Sequence, residues 1–213
     1  FSVNAQDDNM FGFTFNADGT KMFIVGYTNR AVFEYSLSTG FDISTTSYVR
    51  NFSVASQETT PRDVAFNADG TKMFIVGTTG DDVNEYTLST GFNVSTASFV
   101  DSFSVSPQDS VPTSIAFNTD GTKMFIVGTA GQDVNEYPLS AGFDVSTASF
   151  VDSFSVASQD TSPYGLAFNA DGSKMFVVGN TGADINEYSL AASVSPTGYQ
   201  PVHTTASTDT TYW

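Results

Sequence analysis

Four acidic residues recur at one position of the chain and are the first candidates for chemistry. Asp7, Glu58, Asp109 and Asp160 each follow a glutamine, at intervals of 51 residues. Carboxylates grouped with loop carbonyls can hold calcium, which takes about six to eight oxygen ligands. Alternatively, each acid accepts hydrogen bonds from backbone N–H groups of its own turn, and duplication has repeated it. The sequence favours this structural role, which leaves calcium possible and no metal site favoured.

Other catalytic patterns are scarce. The single histidine, His203, lies among Thr and Ser close to the end of the chain, so a Ser-His-Asp triad would require a distant loop to meet this segment. The sequence contains no motif of a zinc protease, a nucleotide phosphate loop or an EF-hand. It also has no cysteine, which removes thiolate catalysis and Cys-based zinc sites. We therefore predict no catalytic residue.

Composition and charge exclude several classes of partner. The 213 residues carry 23 acidic and 7 basic side chains, for a formal net charge of −16, so nucleic acid would be repelled. No apolar run approaches the roughly 20 residues that cross a bilayer, which predicts no membrane insertion. The sequence begins at Phe1 without a signal-peptide pattern, so we expect a processed chain or an excerpt. Acidity and polar loops favour a secreted, cell-surface or virion-surface location.

One nine-residue segment defines the organisation of the chain. FNADGTKMF, or a close variant, begins at Phe15, Phe66, Phe117 and Phe168, always 51 residues apart. A fixed period of this kind indicates a repeat architecture, in which one unit cannot bury its own apolar face. The repeats start near Phe1, Phe52, Phe103 and Phe154.

The second copy shows the pattern of one unit. Residues 64–66 and 72–76 are mainly apolar segments joined by Asn-Ala-Asp-Gly, a tight-turn sequence in which Gly70 tolerates a positive φ. Residues 83–88 alternate in character, and residues 97–105 follow a polar connection. Each unit is therefore predicted to form four antiparallel strands.

Four strands per repeat, without a helix, are typical of a propeller blade, so we predict an all-β fold, a β-propeller of four blades. The pattern P-x-x-[VIL]-A-F-N-A-D-G-[TS]-K-M-F-[IV]-V-G, followed by [VI]-N-E-Y-x-L, resembles the YVTN/NHL-like propeller repeats of bacterial and phage surface proteins. The resemblance covers residues 1–190 and is specific for the fold rather than for a function. A stacked β-solenoid is the alternative, although its coils are generally shorter.

The sequence leaves closure of the ring open. Residues 1–3 match residues 52–54, at the end of a fourth strand, whereas the fourth repeat loses its own fourth strand after Leu190. The N-terminal strand could complete the last blade and remove an open sheet edge; the tail or a neighbouring subunit could do the same. Residues 191–213 follow no repeat pattern and are interpreted as a tail or linker.

Two further sets of repeated charges are expected to be structural. Each copy carries a glutamate beside a tyrosine in its third strand and a lysine after its hairpin turn. We expect the glutamates to face solvent and the lysines to pair with the turn aspartates. These residues are Glu34, Glu85, Glu136, Glu187, Lys21, Lys72, Lys123 and Lys174.

The copies differ mainly in two segments, which are residues 9–12 and 27–30 in the first copy. Both should open as loops on one face of a propeller, where binding residues are often placed, although neutral drift would give the same pattern. The side chains there that are best able to stack on a ligand or hydrogen-bond to it are Tyr27, Arg30, Arg62 and Tyr164.

Together these features predict a non-catalytic recognition or adhesion module, which binds a glycan or a protein surface through the variable face, as the resemblance implies. The alternative is a structural subunit that self-assembles into a surface fibre through the tail and shared strands. An enzyme is not expected. A propeller-type lactonase or lyase would need histidine, arginine or metal-binding carboxylates at its central funnel, and this chain has few to spare.

Overall fold

The computed structural model describes residues 1–190, which form four consecutive antiparallel sheets. The first contains β1 (Met10–Phe15), β2 (Lys21–Gly26), β3 (Ala31–Leu37) and β4 (Thr46–Ser53). The second contains β5 (Pro61–Phe66), β6 (Lys72–Gly77), β7 (Asp82–Leu88) and β8 (Ala97–Ser104). The third contains β9 (Pro112–Phe117), β10 (Lys123–Gly128), β11 (Asp133–Pro138) and β12 (Asp152–Ser155). The fourth contains β13 (Pro163–Phe168), β14 (Lys174–Gly179) and β15 (Ile185–Ser189).

Each sheet is one blade of a β-propeller, which confirms the predicted fold. Within a blade the spatial order of the strands follows the order of the chain. The first strands of successive blades, β1, β5, β9 and β13, contact one another and are the inner strands of the propeller. A single 3-10 turn precedes the outer strand in three blades, at Ile43–Thr45, Val94–Thr96 and Val145–Thr147.

The hairpin turns form as their sequence predicts. Gly70 has a φ of 70°, and its N–H donates to the Asn67 carbonyl at 3.0 Å. Asp69 accepts hydrogen bonds from the Thr71 hydroxyl at 2.6 Å and from the Thr71 N–H at 3.0 Å. These bonds hold the pKa of Asp69 below its ordinary value, so the carboxylate serves the turn.

The apolar core lies between blades. Phe23 and Val25 of the first blade pack with Met73 and Ile75 of the second, and all four are fully buried or nearly so. The same arrangement recurs between the second and third blades and between the third and fourth. Each blade therefore buries much of its apolar surface against a neighbour.

One of the expected routes of closure is not used. The fourth sheet has three strands, and residues 1–3 form no strand. Phe1 packs edge-on against Tyr35 of the first blade, with ring centroids 5.5 Å apart, as Phe52 packs against Tyr86 at 5.6 Å. The N-terminal segment thus follows the repeat, in which the phenylalanine near the start of each 51-residue unit covers the third-strand tyrosine of the same unit.

The segment from residue 191 to residue 213, which includes His203, lies outside the described residues. Its interpretation as a tail or linker stays a prediction.

Candidate functional site

A cavity of about 500 Å³ opens where the four inner strands converge. The beginnings of these strands line one part of it, with Phe11, Arg62, Asp63, Thr113, Ser114 and Tyr164. The side between the fourth and first blades is lined by Phe13, Phe176, Val178 and Ile185. The cavity therefore combines a polar group of residues with an apolar and aromatic wall.

Asp63 is the acidic residue that lines this cavity. Its Oδ2 accepts hydrogen bonds from the Ser114 hydroxyl at 2.6 Å and from the Ile115 N–H at 3.2 Å, both on the next blade. Burial raises the pKa of Asp63 to about 6, although the hydrogen bonds from Ser114 and Ile115 oppose this shift. Near neutral pH this carboxylate is ionised but readily accepts a proton, which is the property of a general base.

Arg62, the residue before Asp63 in the sequence, carries a positive charge. Its guanidinium carbon lies 4.4 Å above the centre of the Phe11 ring, a cation–π contact. Its Nε is buried and has no hydrogen-bond partner among residues 1–190. The arginine is thus held in place by an aromatic ring at the wall of the cavity.

Two hydroxyl groups connect the inner strands across blades. Ser114 donates to Asp63 and accepts a hydrogen bond from the Leu166 N–H at 3.3 Å, so one hydroxyl joins the second, third and fourth blades. The Thr113 hydroxyl lies 3.1 Å from the carbonyl oxygens of Val127 and Pro163. These links fix the positions of the polar groups because they join strands that are already paired within their own sheets.

The predicted ligand-binding residues separate into two groups. Arg62 and Tyr164 line the cavity, and Tyr27 lies beside it through its contact with Phe11, with ring centroids 5.9 Å apart. Arg30 does not line the cavity; it adopts a φ of 51° in the turn between β2 and β3.

The first variable segment was wrongly assigned to a loop. Its residues begin the inner strands, as Pro61–Phe66 does in the second blade. Asp63 and Ser114 were not among the predicted binding residues. The sequence feature that could have identified them is that both lie at a position where the four copies differ.

The four repeated carboxylates bind backbone amides, as the structural interpretation proposed. Glu58 is fully buried, and its Oε1 accepts hydrogen bonds from the N–H groups of Thr60 at 2.6 Å and Thr79 at 3.2 Å. Asp7, Asp109 and Asp160 make equivalent bonds. Among residues 1–190, no three His, Asp or Glu side chains are grouped closely enough to hold a metal ion. Calcium binding by this chain stays a prediction.

The third-strand glutamates correct two expectations. Glu34, Glu85 and Glu136 are buried rather than solvent-facing, and only Glu187 is exposed. The lysines pair with these glutamates instead of with the turn aspartates: Lys21 with Glu34 at 3.0 Å, Lys72 with Glu85 at 2.7 Å, Lys123 with Glu136 at 2.8 Å, and Lys174 with Glu187. The physical reason is that each pair lies on adjacent strands of one blade, and in the first three blades the next blade covers the glutamate.

We expect Asp63 to make the free energy of unfolding fall as the pH rises. Its folded pKa, about 6, exceeds the ordinary value of 3.8, so the folded state binds the proton more tightly. This contribution is fully present below pH 3.8 and is lost as the pH rises through about 6. Urea denaturation should show that Asp63→Asn gains stability relative to the unmodified chain between about pH 4 and about pH 7. A difference in the free energy of unfolding between the two chains that stays constant over this pH range would contradict the raised pKa of Asp63.

The comparisons with known proteins identify the fold. The chain is similar to a protein assigned as a 6-phosphogluconolactonase from Bacteroides uniformis, with a TM-score of 0.60 and 11% identity over 85% of this chain and 50% of that one. It is also similar to the periplasmic gluconolactonase PpgL of Pseudomonas aeruginosa, with a TM-score of 0.55 and 15% identity over 85% and 50%. Streptogramin B lyase matches with a TM-score of 0.53 and 14% identity over 86% and 55%.

These matches support a β-propeller and no finer family. The chain spans about half the length of the solved structures that it matches. No family model matches the sequence, and no curated protein does. The resemblance to YVTN/NHL-like repeats is therefore supported only at the level of the propeller fold.

The comparisons overturn the predicted function. A non-catalytic glycan- or protein-binding module was expected, yet two of these similar structures carry lactonase names and a third is a lyase. The prediction that the chain is not an enzyme is wrong for the same reason. That prediction rested on the scarcity of histidine and on the absence of catalytic motifs. The cavity, however, is lined by a carboxylate and an arginine that belong to no sequence motif.

Proposed function

We propose that this propeller hydrolyses a lactone in the cavity at the start of its inner strands. The observation that carries the proposal is Asp63, a carboxylate whose pKa is raised to about 6 in a cavity that also contains Arg62. The lactonase names of two similar structures support the choice of reaction.

The proposed reaction needs one general base. Asp63 accepts a proton from a water molecule while the water oxygen bonds to the carbonyl carbon of the lactone. The ring C–O bond then breaks, and the ring oxygen takes a proton from Asp63, so the product is the open-chain hydroxy acid. The pKa of about 6 suits both steps, because the group can accept and return a proton near neutral pH.

Arg62 stabilises the negative charge that develops on the carbonyl oxygen. A fixed donor in a partly dry cavity stabilises such charge more than water does, and the Arg62 guanidinium, held on the Phe11 ring, belongs to a residue that lines the cavity. The rings of Phe11 and Tyr164 line the same cavity and supply flat apolar surfaces for a sugar-derived ring.

The net charge of the chain selects among lactones. At −16 the protein repels anions on approach, so a neutral sugar lactone is the better substrate and a phosphorylated lactone the poorer one. The family and location are proposed alongside the activity: the repeat motif supports a YVTN/NHL-like propeller, and the acidity supports a secreted protein. No helix within residues 1–190 is both long and apolar enough to cross a membrane.

The test is hydrolysis of glucono-δ-lactone, measured as acid release above the spontaneous rate in buffer. We expect Asp63→Asn to lower kcat/KM by roughly 100-fold or more, the usual contribution of a general base, and Arg62→Gln to lower it by about 100-fold. For the unmodified chain, kcat/KM should rise with pH and level off above about 6. 6-Phosphogluconolactone should react more slowly.

The matched control is Asp101→Asn, which removes an exposed carboxylate on the outer strand of the second blade. Its kcat/KM should equal that of the unmodified chain. Circular dichroism would establish that all the variants are folded. Failure of the folded, unmodified chain to exceed the spontaneous rate with either lactone would reject the proposed function.

A further inference from the structure

The fourth blade exposes a face that every other blade buries. This trailing face consists of Phe176, Val178 and Ile185, and the equivalent residues of the first three blades lie in the cores between blades. Val178 is 43% exposed, whereas Val25, Val76 and Val127 are 0% exposed. Ile185 is 71% exposed, whereas Val32, Val83 and Val134 are at most 5% exposed.

The first blade exposes the surface that would complement this face. Ile43 in its 3-10 turn is 51% exposed, whereas the equivalent Val94 and Val145 are 0% exposed. Phe41 is 60% exposed and Phe13 is 63% exposed. We call Phe13, Phe41 and Ile43 the leading face. Met22 and Ile24 behind it are already covered within the first blade.

In the closed interfaces these two faces meet ring to ring. Phe23 of the first blade stacks on Phe92 of the second, with centroids 5.9 Å apart and an interplanar angle of 26°. Phe74 of the second blade stacks in the same way on Phe143 of the third, at 6.1 Å and 28°. By the repeat, the partner of Phe176 is the residue equivalent to Phe92 and Phe143, which in the first blade is Phe41.

A polar pair accompanies the apolar contact. Lys72 donates to the Phe143 carbonyl at 2.6 Å, and the Val145 N–H donates to Glu85 Oε2 at 3.0 Å. The pair between the first and second blades is identical in kind: Lys21 donates to the Phe92 carbonyl at 2.6 Å, and the Val94 N–H donates to Glu34 at 3.2 Å.

The fourth blade carries the same charges, and no following blade covers them within residues 1–190. Lys174 and Glu187 pair with each other and are 45% and 48% exposed, whereas Glu85 is 2% exposed. The groups that would complete them by the repeat are the carbonyl of Phe41 and the N–H of Ile43, on the leading face of the first blade.

We propose that the trailing face of one copy docks on the leading face of a second copy, so that chains associate head to tail. The second copy is the occupant that supplies every complementary element, namely a phenylalanine ring, an apolar residue in a 3-10 turn, and one carbonyl and one N–H for the Lys–Glu pair. The contact continues the 51-residue repeat across two chains. Because its two halves differ, it is a heterologous interface, which closes into a ring or extends according to its rotation. Phe13, Phe176, Val178 and Ile185 also line the cavity, so association would cover that wall, but the proposed association does not require lactone hydrolysis.

Light scattering of the full chain at increasing concentration tests this proposal. The unmodified chain should show masses that are multiples of 22.7 kDa. Ile185→Glu on the trailing face and Ile43→Glu on the leading face should each give single chains. A mixture of the two variants should form a complex of one chain of each, because one intact face of each kind remains. Val100→Glu, an exposed apolar position on β8 that belongs to neither face, should leave the masses unchanged.

Three results would overturn the proposal. In the first, the unmodified chain stays at 22.7 kDa at every concentration. In the second, one of the single variants still associates with itself, which would indicate an interface between identical faces. In the third, the two variants fail to form a complex when they are mixed. Because both substituted side chains are more than half exposed in the single chain, circular dichroism should show that each variant folds.

Discussion

Phe74→Ala is expected to lower the free energy of unfolding by about 4 kcal/mol, the usual range for truncating a fully buried phenylalanine. Phe74 is 0% exposed and lies between blades, with its ring centroid 4.5 Å from that of Phe117 and 6.1 Å from that of Phe143. Its loss leaves a cavity that paired sheets on both sides cannot collapse to fill. Denaturation in guanidinium, followed by the fluorescence of the tyrosines buried in the blades, measures the change.

The matched control is Phe99→Ala, which makes the same truncation on the outer strand of the second blade. Phe99 is exposed and contacts Tyr86 edge-on, so we expect a loss of about 1 kcal/mol or less. Similar losses for Phe74 and Phe99 would contradict a core located between blades.

Glu85→Ala is expected to cost about 3 kcal/mol, because it breaks a buried ion pair and removes a contact between blades. One carboxylate oxygen of Glu85 accepts from Lys72 at 2.7 Å and the other from the Val145 N–H at 3.0 Å. Without the Glu85 carboxylate, the buried N–H of Val145 has lost its hydrogen-bond acceptor. The same denaturation experiment gives the value.

The equivalent substitution in the fourth blade serves as the control. Glu187→Ala removes a glutamate at the same repeat position, but its side chain is 48% exposed, so the loss should be below about 1 kcal/mol. Both variants are best compared with Ile185→Glu also present, since that substitution should keep the chains single. Equal losses of free energy of unfolding for Glu85→Ala and Glu187→Ala would show that burial of the ion pair by the next blade adds no stability.

The hairpins and the number of strands could be predicted because their signals are local. An Asp-Gly turn followed by alternating residues is sufficient to predict β5 and β6, and the 51-residue period repeats that signal four times. The start of each inner strand was missed for a physical reason. Pro61 opens β5, and the register shifts between Pro61 and Asp63, so this strand end has the composition and irregularity of a loop.

The site could be predicted only in part, because its properties depend on neighbouring blades. The aromatic and basic character of Arg62 and Tyr164 is visible in the sequence. The raised pKa of Asp63 is not, since it depends on burial and on Ser114, 51 residues further along the chain. The burial of Glu85 was missed for the same reason, because the amide that it binds lies 60 residues away.

The confinement of the main contacts to consecutive blades has an evolutionary consequence. Recombination between copies adds or removes a whole number of 51-residue units, and each junction it creates has the same complementary surfaces as the junction it replaces. Copy number can therefore change in a single genetic event without a compensating substitution. In such a lineage the unit under selection for stability is the junction between two blades, while the residues at the start of each inner strand differ from copy to copy.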